Sequence, residues 1–160
     1  MRYPPGRSGP ERTGADRGGD GMDGSGGHRA VPHTADVRIE AWGATREECL
    51  AQAVAGLVGC FADLSGARPR AVRRLRPTGR SDDELLAALL EDVLFRLDVH
   101  GEVPVEAAAE RTEGGLEVRL SVTGLDSVEI TGAVPKAVSW NELHLSPAPS
   151  GWSCAATVDV

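Results

Sequence analysis

The stretch Asp36-Val37-Arg38-Ile39-Glu40-Ala41-Trp42-Gly43-Ala44-Thr45-Arg46-Glu47-Glu48 changes its period part-way along, and that change decides the fold class. In its first half Val37, Ile39 and Ala41 fall on one side and Asp36, Arg38 and Glu40 on the other, the alternation of a half-buried strand. Thr45 to Glu48 then reads as a capping box, in which the threonine hydroxyl takes the Glu48 amide and the glutamate returns a bond. Beyond it Leu50, Ala53, Val54, Leu57, Val58 and Phe61 recur at intervals of three and four, predicting one buried helical stripe that runs to about Ala62.

The same logic extends toward the C-terminus. A short basic strand is predicted around Ala71 to Arg76, followed by a second capping box, Ser81-Asp82-Asp83-Glu84, whose acidic residues suit the positive end of a helix dipole. This explains the acidic run better than a metal cluster does. The second helix is expected to reach about Asp98, with Leu85, Leu86, Leu89, Leu90, Val93, Leu94 and Leu97 forming a broad face that packs on a sheet. Past Gly101 the period returns to two. Glu102 to Arg111, Gly115 to Thr123, Ala133 to Leu145 and Gly151 to Asp159 read as strands, with hairpin connections at Glu113-Gly114-Gly115 and Ala148-Pro149-Ser150-Gly151. The expected fold is α+β, a largely antiparallel sheet packed with two main helices.

Residues 1–30 are of different material: nine of the chain's 20 glycines fall there, with almost no large apolar side chains. Ordering that segment would cost entropy that burial could not offset, so it is read as a disordered extension, and 31–160 as one domain. The net charge of −7 argues against a chain that grips nucleic acid by itself, because phosphate binding needs a basic surface. Cys49, Cys60 and Cys154 contain no C-x-x-C spacing and read as buried free thiols in a reducing compartment. No apolar run approaches the ~20 residues that span a bilayer, and no signal peptide is evident, so a cytoplasmic protein without membrane association is expected.

The chemistry-bearing residues lie at the two ends of the foldable region. Asp36 sits on the polar face of the first strand, and in the last strand parity separates Trp152, Cys154, Ala156 and Val158 from Ser153, Ala155, Thr157 and Asp159. If the two strands are neighbours, Asp36 and Asp159 point the same way and need a counter-ion, a cation or a lysine. With the terminal oxygens of Val160 they make the oxygen-only set that hard cations such as calcium prefer. Lys136 is odd in its strand, since parity groups it with Val134, Val138 and Trp140; snorkelling over Trp140 would account for it. His33 reads as a surface or hydrogen-bonded histidine near a strand start rather than a metal ligand, because calcium favours oxygen, while His28, His100 and His144 are less informative. No nucleophile–histidine order, phosphate-cradling glycine loop or H-E-x-x-H helix is visible, so independent catalysis has no machinery.

His33-Thr34-Ala35-Asp36-Val37 with Ile39-Glu40-Ala41-Trp42-Gly43 resembles the opening signature of the archeases. Lys136-Ala137-Val138-Ser139-Trp140 resembles their lysine motif, Val158-Asp159-Val160 their ending, and the helix from Ser81 to Asp98 their central helix. The resemblance spans nearly everything from His33 to Val160. It implies an accessory protein that activates a tRNA-splicing RNA ligase, promoting guanylylation of the ligase and its repeated turnover, with RNA contacted only through the ligase. It further implies calcium held by Asp36, Asp159 and Val160, and a required Lys136 that neutralises acidic groups or touches a nucleotide or partner. The chain departs from the pattern at Trp140-Asn141 and at Pro135, which removes a ladder donor and suggests an edge or irregular strand. A chaperone or general interaction module is the alternative, and a metal-dependent phosphohydrolase using Asp36, Asp159 and Lys136 a third reading.

Overall fold

A computed structural model describes residues Asp36–Val160; the predicted disorder of residues 1–30 lies outside them. The first strand, β1 (Asp36–Gly43), alternates as its sequence requires, with Ile39 and Ala41 buried and Asp36 and Glu40 exposed. Thr45 then caps α1 (Arg46–Gly59), its hydroxyl accepting the Glu48 amide at 3.0 Å. Glu48 completes the box one residue further out than expected, accepting from the Ala44 amide at 2.8 Å. The start of α2 (Asp82–His100) repeats this arrangement: the Glu84 amide donates to the Ser81 hydroxyl at 3.1 Å, and Glu84 accepts from the Arg80 amide at 2.9 Å.

Each of these helix starts also carries a glycine two residues before the cap. A Cβ on Gly43 would lie 2.7 Å from the Cys49 amide nitrogen, and one on Gly79 would lie 2.7 Å from that of Leu85. The chain folds so closely over each first turn that no side chain fits between. Gly-x-Ser/Thr-x-x-Glu is thus a local motif used twice.

Helix α1 ends earlier than predicted, at Gly59. Cys60 caps it, and Phe61 stays in the core outside the helix while its carbonyl accepts the Thr131 amide at 2.8 Å. That contact leads into a small ladder that periodicity did not reveal, β2 (Ala62–Asp63) with β6 (Glu129–Ile130). Helix α2 runs two residues past expectation because Gly101 supplies the left-handed stop, with φ 63° and its amide on the Leu97 carbonyl at 3.1 Å.

The expected single sheet is divided. Strands β3 (Ala71–Leu75), β5 (Gly115–Gly124) and β4 (Glu102–Thr112) form one antiparallel sheet in the order β3-β5-β4, while β1, β8 (Gly151–Asp159) and β7 (Ala137–Ala148) form another in the order β1-β8-β7. Helix α1 packs on β1 and β8 of one sheet and on β4 of the other; α2 packs on β7 and on β4. The predicted leucine faces of both helices are buried between the sheets with Val118, Leu120 and Val158. The basic strand β3 is matched by acids on its neighbours' side: Arg74 and Arg76 pair with Glu117 at 2.8 and 3.2 Å, and Arg73 with Glu102 at 2.7 Å.

All three cysteines are free. Cys49 and Cys154 are buried, and burial pushes the Cys154 thiol up to about 12. Cys60 is only half-buried. Among the described residues no helix is long and apolar enough to cross a membrane.

Candidate functional site

Strand β8 lies between β1 and β7, and the register of these three strands builds the site. Asp36 is the direct antiparallel partner of Asp159, so both side chains leave the same face of the sheet. On the other side of β8, Ala137 is the partner of Asp159, and the Lys136 amide donates to the Asp159 carbonyl at 2.7 Å. Thus Asp36, Asp159, Val160 and the backbone of Lys136 gather at one end of the sheet, although they lie as far as 124 positions apart in sequence.

Lys136 does not occupy the position that parity predicted. It is exposed and precedes β7, whose ladder starts at Ala137 rather than Ala133 and continues to Ala148. Pro135 is the cause: buried and without an amide hydrogen, it keeps residues 133–136 out of regular pairing on this edge strand. Trp140, the expected cover for the lysine, is itself 56 % exposed. It opens a bulge. Between Ser139 paired with Thr157 and His144 paired with Ala155, β7 advances five positions while β8 advances two, leaving three extra residues. Glu142 takes a φ of 59° there, rare for a non-glycine residue, and accepts a hydrogen bond from Arg38 of β1 at 3.3 Å. Sequence reasoning missed this bulge; the signal available was that Asn141 and Glu142 interrupt the apolar alternation.

The acidic start of α2 is structural, as expected. Asp82 pairs with Arg46 at 3.0 Å, Asp83 accepts the Leu145 amide of β7 at 2.8 Å, and Glu84 closes the capping box.

By contrast, neither Asp36 nor Asp159 forms an ion pair with another described residue, and Arg38, next along the face, is turned to Glu40 and Glu142. Two exposed like-charged groups directly opposed across strands destabilise the sheet unless something neutralises them. No group of three or more His, Cys, Asp or Glu side chains gathers among the described residues. Carboxylate oxygens are the donor type that hard cations take, and because calcium takes ~6–8 oxygens, this pair alone would leave most of its sphere to water or a partner.

The comparisons with known proteins agree with this architecture. The profile of the Archease protein family (MTH1598/TM1083) matches residues 28–160. The chain belongs to the archease family. A probable archease of Mycobacterium tuberculosis is 49 % identical over 136 residues, covering 85 % of this chain and 76 % of that one. An archease of Thermococcus gammatolerans is 26 % identical, covering 74 % of this chain and 87 % of its own. The crystal structure of a Thermotoga maritima archease, described as a possible chaperone, superposes with a TM-score of 0.61 at 17 % identity, covering 84 % of this chain and 98 % of that one. The solution structure of Methanobacterium thermoautotrophicum protein 1598 superposes with a TM-score of 0.60 at 21 % identity, covering 81 % and 96 %. Both likenesses establish that this archease has the α+β fold of its family.

Proposed function

We propose that this archease is an accessory protein of a tRNA-splicing RNA ligase, promoting guanylylation of the ligase's histidine and repeated turnover without joining RNA itself. The observation that carries the reading is the register of β1, β8 and β7, which sets Asp36 opposite Asp159 and ties Lys136 to the same end of the sheet. Asp36, Asp159 and the main-chain oxygen of Val160 would hold calcium, which supplies positive charge where a phosphoryl group is transferred. Lys136, exposed beside them, would reach the nucleotide or the ligase, its flexible stem placing a compact positive charge. The net charge of −7 disfavours a grip on RNA phosphates, so RNA would be held by the ligase, and the complex would work in the cytoplasm.

Ligase guanylylation and multiple-turnover ligation, measured with no addition, with this archease, and with its Asp36→Asn, Lys136→Ala and Asp159→Asn forms, test the proposal. Activation by the wild type, lost in each folded variant, is expected. A folded, calcium-loaded wild type that leaves the ligase unchanged refutes it. Phosphate release with no ligase present would instead favour a metal-dependent phosphohydrolase, and suppression of aggregation by Asp36→Asn protein a chaperone.

A further inference from the structure

A groove of about 640 Å³ lies between α2 and the irregular segment before β7. Leu94, Val134 and Pro135 supply its apolar lining, and Glu91, Phe95 and Asp98 of α2 face Lys136 across it. The stripe on α2 continues to Val99, one turn beyond Phe95. Phe95 and Val99 are 57 % and 54 % exposed, on a helix whose other apolar side chains are largely buried. Large apolar side chains held at a helix surface beside a concave lining are the usual build of an anchor pocket in a protein interface.

Two features decide what kind of partner fits. The α2 wall is acidic and the chain's net charge is −7, so the groove repels nucleic-acid phosphate. The groove also runs into the site already described: Lys136 forms its strand-side wall, and the amide of that residue is bonded to Asp159.

We propose that this groove docks the ligase, taking an apolar side chain of the ligase onto Phe95 while flanking lysine or arginine residues meet Glu91 and Asp98. This rests on the ligase reading above and adds the surface by which the partner is held. Docking here would bring the ligase's nucleotide site to the Asp36–Asp159 end of the sheet, because the groove and that end share the Lys136 segment. Apolar contact would hold the complex and the acidic rim would steer it, which makes association fall with salt.

The test uses the full chain and purified ligase, reading the dissociation constant at two salt concentrations and the archease concentration that gives half-maximal guanylylation. Phe95→Ala and the double variant Glu91→Lys/Asp98→Lys are each expected to raise both by about tenfold or more, as loss of an interface anchor does, and the charge reversal also removes the salt dependence. Val72→Ser, at an exposed position on β3, is the control and leaves both unchanged. Far-ultraviolet circular dichroism and urea midpoints establish that the variants are folded. Wild-type activation with unchanged half-maximal concentrations in both groove variants overturns the docking surface while leaving the ligase reading intact. A wild type that neither binds nor activates the ligase overturns both, and wild-type binding to bare RNA that is lost in the groove variants overturns the protein-docking assignment.

Discussion

Replacing Asp159 by asparagine should change stability in opposite directions with and without calcium. Asp36 and Asp159 are directly opposed in an antiparallel ladder, and neither is ion-paired with a described residue. At a carboxylate separation of roughly 6 Å, Coulomb's law gives a repulsion of about 0.7 kcal/mol in water and about 2.8 kcal/mol at an effective dielectric of about 20. Both residues are exposed, which places the cost near the lower figure, in line with ~0.2–1 kcal/mol for cross-strand pairs. In chelator, therefore, Asp159→Asn should melt about 2–4 °C above the wild type. With calcium at ~100 times its dissociation constant, the wild type should gain about 2.7 kcal/mol, while the variant, having lost a ligand, gains little. Thermal melts of both proteins in chelator and over a calcium series would display the crossing. A variant less stable than the wild type in chelator, or an equal response of both to calcium, would refute the reasoning that these carboxylates face each other as a cation site.

Other consequences of the structure can be measured by urea unfolding. Gly79→Ala should destabilise by about 1–3 kcal/mol, although no unusual φ is involved, because its Cβ would collide with the backbone of the first turn of α2; a neutral effect would mean that the turn can open at little cost. Asp83→Ala should cost about 1–3 kcal/mol by stranding the Leu145 amide, and Asp83→Asn, which keeps an acceptor, distinctly less. Stability should fall on acidification from about pH 5 to pH 3. Hydrogen bonds from Arg74 and Arg76 hold the Glu117 carboxyl below its ordinary value, and at Glu102 burial pushes upward but is outweighed by Arg73, Arg96 and His100. Stabilisation from such groups is present above the unfolded value and lost as pH falls through the folded one. Glu117→Gln should accordingly lower stability at neutral pH and flatten the acid limb, and an unchanged limb would show that these pairs do not govern it.

The local elements were legible because short-range rules determine them. Thr45 and Ser81 cap helices, and the leucines of α2 line one face wherever the helix is put. The alternation of Asp36, Arg38 and Glu40 with Val37, Ile39 and Ala41, and that of Cys154 to Asp159, follow from the strand period of two. The Gly43 and Gly79 contacts were readable in principle, since Gly-x-Ser/Thr-x-x-Glu occurs at both helix starts, but their reason is a steric one that only the folded chain shows.

The hairpins β4–β5 and β7–β8 were legible from their turns, but how the strands group beyond them was not. Division into two sheets depends on which edges remain free once both helices occupy the space between them, a long-range packing outcome that periodicity along one strand does not encode. The same limit explains Lys136 and Trp140: parity assumes an unbroken ladder, whereas buried Pro135 delays pairing to Ala137 and the three-residue bulge after Ser139 shifts the rest of this edge strand against its neighbour. The amino-acid order by itself determined that Asp36 and Asp159 each sit on the polar side of a strand. Only the tertiary structure decided that they face each other and that Lys136 joins them, because register between distant segments is set by the core they close over, not by the residues that carry the charge.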